Sequence, residues 1–401
     1  MALDILKERG LPLERQVFTW RDMVRTPVSK LDDDAFTRVR VILMNGIECF
    51  AIRLGHGLNW MNDKLRVPLA QMRRVEKHQQ TLVNWLLPPD MSPLETTINY
   101  EQVPIEVTAS VAEHEPDEHL AQVYRFGLLE DFDHLYRFSA MLDLLEGKDA
   151  NNLLNSYTDI RPGRPTKEEH RAPEDNIRRH YDHATAAPLT KLHAITLTAA
   201  ELQTEDYYMN FGPTFADPLA RQLYAEISAI EEQHVTQYGS MLDPNESPIA
   251  KWMLMQATEV YNFYSCAQSE SNPRVREIWN RFVDYELGQL HACMELFRSI
   301  EKRDPEEILP ATVPEPIDFK SHRELVRQTL AREVDRRTRA TELIDKSEEG
   351  PDSPSVKYRE QLNSEGSPSE IVAAGYRWRP GTELADGRAR AAAVQQEVSA
   401  T

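Results

Sequence analysis

The run Glu231-Glu232-Gln233-His234 sets a carboxylate and an imidazole three residues apart. On an α-helix, residues i and i+3 share a face, so one helix with this spacing offers an oxygen and a nitrogen donor to the same cation. Three further carboxylates, Glu201, Glu259 and Glu286, stand in stretches whose neighbours at helical spacing are largely apolar. These neighbours are Leu197 and Tyr208 for the first, Met255, Phe263 and Cys266 for the second, and Phe282, Leu290 and Cys293 for the third. Gln289 follows Glu286 by three residues, where an imidazole would complete a second Glu-x-x-His. A carboxylate inside an apolar stripe is costly unless a cation neutralises it. As a set, Glu201, Glu231, His234, Glu259, Glu286 and Gln289 point to a centre for two metal ions. In such centres two helices give one Glu each and two give a Glu-x-x-His pair. An amide oxygen is a weaker ligand than imidazole for iron or manganese, so Gln289 predicts unequal metal positions. His291 falls about 140° round the helix from Glu286, on another face.

These residues need helices to align them, and the punctuation marks four. Segments 184–210, 217–242, 247–270 and 273–302 are divided by Asn210-Phe211-Gly212-Pro213, Asp217-Pro218, Ser247-Pro248 and Asn272-Pro273. A cap of Asp, Ser or Asn followed by Pro is a strong helix start. Short connections favour antiparallel neighbours, so residues 184–302 are predicted to form an antiparallel four-helix bundle. Helical periodicity over 34–61, 67–87 and 117–147 makes residues 1–147 an additional N-terminal helical region, open to a reading as a degenerate bundle half. Prolines and Thr/Val-rich pieces make 88–116 an irregular connection. Residues 148–183 read as an exposed linker and helix start, and 303–345 as a Pro-rich linker with an amphipathic helix over 318–345. Residues 346–401 read as a mostly disordered tail with one apolar island at 371–378. The fold class is all-α.

The stretches 195–242 and 252–297 resemble the rubrerythrin branch of the ferritin-like superfamily. The resemblance implies a ferritin-like bundle with a di-iron or di-manganese site, ligated by Glu201, Glu231, His234, Glu259 and Glu286. It further implies an oxidoreductase acting on dioxygen, peroxide or an organic substrate. Three features depart from the pattern: Gln289 replaces a histidine, no rubredoxin-like cysteine domain is present, and both ends carry long additions. Two other readings stay open, a metal-sequestering protein without turnover and a helical interaction protein that has lost the site.

A fainter constellation lies upstream. Glu48 falls in an apolar helix, Glu76-x-x-Gln79 in the next, and Glu130, Asp131 and His134 in the third. This is the decayed half of a duplicated bundle, another metal site or, more commonly for such groups, a set of caps, Arg partners and solvent-facing side chains. His170, His180, His183 and His193 read as a surface helix start rather than a metal patch. Tyr208, Tyr224, Tyr238 and Tyr261 are core filling or hydrogen-bond donors beside a metal.

Composition narrows the function class. Lys and Arg number 46 against 65 Asp and Glu, a net charge of −19 that repels nucleic acid and anionic lipid. Cys49, Cys266 and Cys293 form no C-x-x-C pair, which argues against a disulfide framework or a cysteine-based zinc site. The most apolar stretch, 39–61, is broken by Arg40, Glu48, Arg53 and His56, and the start lacks a signal-like apolar run. A cytoplasmic protein is expected. Its expected partners are a small-molecule oxidant or substrate, with a homo-oligomer as an open alternative and neither nucleic acid nor membrane.

Overall fold

The computed structural model describes residues 3–374 and Tyr376. Its helices are α1 Trp20–Met23, α2 Ala35–Met61, α3 Arg66–Asn84, α4 Pro93–His114, α5 Glu118–Glu146, α6 Asn151–Leu154 and α7 Pro188–Phe211. They continue with α8 Pro218–Gly239, α9 Pro248–Ser269, α10 Pro273–Glu301, α11 Arg323–Glu333, α12 Pro354–Leu362 and α13 Pro368–Ala373. Among the described residues a single antiparallel hairpin, β1 Arg336–Arg339 with β2 Glu342–Asp345, pairs Arg336 with Asp345 and Arg339 with Glu342. The described residues are all-α apart from that hairpin and short 3₁₀ turns. No described helix is long and apolar enough to cross a membrane.

Local chemistry fixes most helix starts. Asp217, Ser247 and Asn272 accept hydrogen bonds from the first-turn amides of α8, α9 and α10, and Pro follows each at the first helical position. The α5 helix opens on Asp117 and closes on Gly147, whose φ of 62° suits a residue without Cβ.

The eight long helices form four antiparallel hairpins: α2–α3, α4–α5, α7–α8 and α9–α10. The α2 and α7 helices lie centrally, packed on each other and each on α4 and α9. Apolar side chains from all eight join one continuous core. Residues 184–302 therefore do not close on themselves as a separate bundle. Hairpin α7–α8 meets α4–α5, while α9 of the last hairpin packs on α2 of the first. The region 1–147 is part of both groupings rather than an addition to one.

The expected irregular connection over 88–116 is helix α4. Its residues are buried on nearly every side from Leu94 to Ala112, so no polar face is left to reveal a period. Pro104 and the Thr/Val content lower intrinsic helix propensity, which burial overrides. A local signal did exist: Ser92 and Glu95 form a reciprocal capping box with Pro93 between them.

Two C-terminal expectations are also corrected. The helix expected over 318–345 stops at Glu333 and gives way to the β-hairpin. Residues 346–374, expected in the disordered tail, carry α12 and α13, and α13 packs on α5 and α8. Arg137 anchors α13 through the Ser369 carbonyl at 3.1 Å. Val372, from the apolar island, is buried, whereas Trp378 and the rest of the tail lie outside the described residues.

Candidate metal centre

Glu231 on α8 sits between two imidazoles. Its Oε1 is 2.9 Å from His134 Nδ1, and its Oε2 is 3.2 Å from His234 Nδ1. Asp131 Oδ1 lies 3.2 Å and Glu201 Oε2 3.9 Å from the same His234 nitrogen. Two overlapping groups result, Asp131/Glu201/Glu231/His234 and Glu101/His134/Glu231, each with donor atoms within 4.8 Å of one another. Glu231 belongs to both. Helix α4 gives Glu101, α5 gives Asp131-x-x-His134, α7 gives Glu201 and α8 gives Glu231-x-x-His234. The i, i+3 spacing turns both members of each pair into the same interior. All six side chains are buried.

A second layer orients the imidazoles. His134 Nε2 is 2.8 Å from Glu169, and His234 Nε2 is 2.8 Å from Glu130. Each ring thus presents Nδ1 to the carboxylate cluster while a carboxylate holds its other nitrogen, the arrangement that fixes ring and tautomer in metal-ligating histidines. Glu130 is held in turn by Arg171 at 2.5 Å and Arg164 at 3.2 Å, and the Arg164 guanidinium lies 3.9 Å over the Phe126 ring. Tyr208 donates its hydroxyl to Glu101, and Tyr238 stacks on His234 with ring centroids 6.1 Å apart.

Glu169, Arg164 and Arg171 all come from the stretch 148–183, which was expected to be an exposed linker. Much of it is buried against α5 instead. Asp133 accepts from the amides of Gly163 and Thr166 at 2.9 and 2.8 Å, and the Arg164 amide donates to the Leu129 carbonyl at 3.0 Å. The loop crosses so close that a Cβ on Gly163 would lie 2.3 Å from the Leu129 oxygen. Gly163→Ala is therefore expected to lift the loop, costing about 1–3 kcal/mol as overpacking does. It should also loosen Glu169 from His134. Urea denaturation and metal titration of the variant check both effects, and wild-type values in both would show the crossing to be dispensable.

Burial and the close approach of like and unlike charges set the electrostatics of the cluster. Burial, with Asp131 and Glu231 close by, pushes the Glu201 carboxyl well above the ordinary carboxylate range. Burial, together with Glu231 and Asp131, does the same to Glu101 against the pull of His134. Despite burial, His134 and His234 hold the Glu231 carboxyl down to about 2. Both imidazoles are raised well above the usual histidine range by the surrounding carboxylates, against the effect of burial. Neither Glu201 oxygen has a hydrogen-bond partner among the described residues, nor has Glu101 Oε2. Orphaned buried acceptors of this kind call for an explanation, and a metal ion supplies one. Four carboxylates and two imidazoles form a mixed oxygen–nitrogen set suited to iron or manganese.

Of the six residues expected to form one centre, Glu201, Glu231 and His234 are here. Glu259, Glu286 and Gln289 are not. Those three meet Glu48, Glu76 and Gln79 in a separate cluster. The histidine place assigned to Gln289 is filled by His134, so the argument for unequal metal positions from Gln289 does not apply to this centre. The α10 helix runs unbroken, and His291 lies beside the N-terminal segment near Glu8 and Ile5 rather than in a cluster.

Glu101 and Glu169 are absent from the residues the sequence singles out, and Glu130, Asp131 and His134 stand there only in the fainter upstream constellation. A usable signal lay in the spacing: Asp131 follows Glu101 by thirty residues, as Glu231 follows Glu201. The remaining histidines and tyrosines have local roles. His183 caps with Asp243, and His193 pairs with Glu115. Tyr224 bonds Thr97, and Tyr261 reaches the Glu315 carbonyl. In comparisons with protein-family models, curated proteins and solved structures, nothing matches this chain.

Proposed function

We propose that the protein is a ferritin-like dimetal carboxylate oxidoreductase, with iron or manganese held by Glu101, Asp131, His134, Glu201, Glu231 and His234. The observation that carries this reading is the posture of the two imidazoles. Each turns Nδ1 towards the shared Glu231 and has Nε2 held by an outer carboxylate. A purely structural ion-pair cluster has no need of two such triads around one carboxylate. When bound, the metals would polarise an oxygen species such as dioxygen or peroxide. Glu231, a member of both donor groups, would help to hold both ions, and Glu101 and Glu201 would each help to hold one. Tyr208 can give or take a proton at Glu101.

A nearby cleft supports a small organic molecule as substrate. A cleft of about 390 Å³ is lined by His170, Glu226, Tyr358, Asn363 and Ile371. It reaches the residue next to Glu169, which bonds His134. Burial and the neighbouring Arg171 hold His170 down to about 4, so it faces the cleft as a neutral ring at neutral pH.

The test is metal content by mass spectrometry of protein purified without chelator, followed by peroxide and dioxygen consumption assays. About two iron or manganese ions per chain with turnover is the expected result. Absence of both metals from protein grown with ample iron and manganese would sink the reading. Full metal content without turnover would favour the sequestering alternative, which the burial of every ligand also suits.

A further inference from the structure

Helices α2, α3, α9 and α10 enclose a second group of carboxylates. Glu48, Glu76, Glu259 and Glu286 are at most 2% exposed, as are Gln79, Gln256 and Gln289. Oxygens of Glu48, Glu259 and Glu286 lie within 4.8 Å of one another. The hairpin pattern of the first centre recurs here as Glu48 with Glu76-x-x-Gln79, and Glu259 with Glu286-x-x-Gln289. Both histidine positions hold glutamine.

Several buried carboxylates outside the first centre are matched by cationic or several polar donors. Glu270 has Arg40 and Trp279, Asp133 has Arg137 and Thr166, and Glu115 has His193 and Thr190. The hydrogen bonds to this cluster come from neutral amides. Gln79 and Gln289 donate to one oxygen of Glu286 at 2.5 and 3.1 Å. Gln256 donates to Glu259 at 2.5 Å and Glu76 at 3.2 Å. Both oxygens of Glu48 have no partner among the described residues, and neither have the amide oxygens of Gln256 and Gln289. The Gln289 amide lies inside the cluster, since its nitrogen touches both Glu286 and Gln79. Its fully buried carbonyl oxygen is a neutral hard donor, independent of the acidic groups around it.

We propose that this cluster is a second cation site, built from oxygen donors alone, that takes a hard divalent ion of the calcium or manganese(II) kind. Carboxylates and amide carbonyls are the ligands such ions prefer, in numbers from six to eight for calcium. Replacing both imidazoles by amides removes the nitrogen donors that favour iron and zinc. An amide can turn its oxygen where it now presents nitrogen, because the two ends are nearly isosteric. The second site does not depend on what fills the first.

The test uses the full chain, stripped by chelator and titrated with calcium by calorimetry. Wild type is expected to bind calcium, and the Glu48→Gln/Glu259→Gln double variant to lose that binding while keeping its iron or manganese content at the first centre. A Glu231→Gln/His234→Gln variant should do the reverse. In that background, manganese(II) should give an electron-spin-echo signal without nitrogen modulation, and adding Gln289→His should introduce it. The Gln289→His readout remains available if the Glu48→Gln/Glu259→Gln variant fails to fold. No calcium or manganese binding by a folded Glu231→Gln/His234→Gln variant would overturn the proposal. Calcium binding unchanged by a folded Glu48→Gln/Glu259→Gln variant would overturn it too, as would nitrogen modulation before His is introduced or none after. Because each pair of substitutions addresses one cluster, failure here leaves the reading of the first centre standing, and the converse also holds.

Discussion

Glu231→Ala should abolish tight iron or manganese binding, weakening it by more than about 100-fold, whereas Glu259→Ala should leave iron content at the first centre unchanged. Loss of a single outer-layer partner typically weakens a metal site by about 10–100-fold, and a ligand shared by both positions should matter more. Glu231 would be that shared ligand, since one of its oxygens lies towards His134 and the other towards His234. Glu259 lies in the other cluster, with Glu286, Glu76 and Glu48 as its charged neighbours. Mass-spectrometric metal content of both variants, with circular dichroism to confirm folding, decides the matter. Equal loss in the two would mean that the two clusters are not independent. Full retention in Glu231→Ala would exclude the centre altogether.

Arg171→Met should be the most damaging single change outside the ligands. Glu130 is fully buried, and Arg171 and Arg164 hold its carboxyl far below the usual range in spite of burial. Removing one partner of a buried ion group costs about 3–5 kcal/mol, because the other charge stays behind without compensation. Arg164 remains as a second cation, which places the expectation at the lower end, about 3 kcal/mol. The effect should reach the centre as well. Glu130 holds His234 Nε2 at 2.8 Å, so a displaced carboxylate should weaken metal binding by about tenfold. Adding Glu130→Gln to Arg171→Met removes the stranded charge and should restore part of the stability but not the metal affinity. Urea midpoints and competitive metal titration of the single and double variants measure the two effects separately. A stability change for Arg171→Met below about 0.5 kcal/mol, the range of ordinary surface substitutions, would show that Glu130 does not need it.

The amino-acid sequence by itself determined the helices whose ends carry local chemistry. Asp217-Pro218, Ser247-Pro248 and Asn272-Pro273 set their starts without help from the rest of the chain, and the structure begins α8, α9 and α10 there. It also determined that Glu201, Glu231, His234, Glu259 and Glu286 are interior groups, because a carboxylate at helical spacing within an apolar stripe faces the same way as its neighbours. Helix α4 was hidden for the opposite reason: a helix buried all round shows no alternation of polar and apolar faces. The segment carrying Glu169 looked like an exposed loop because polar residues and prolines are the same in composition whether they face water or another helix. Above all, tertiary structure decided which hairpin meets which. Four hairpins carry one pattern of Glu followed by an acidic residue and, three positions on, His or Gln, and chain order favours pairing α7–α8 with α9–α10. The folded chain instead brings the two histidine-bearing hairpins, α4–α5 and α7–α8, to one site, and the two glutamine-bearing ones, α2–α3 and α9–α10, to the other. That choice rests on long-range packing around α2 and α7, where contacts between residues far apart in the chain decide the pairing and no local pattern records it.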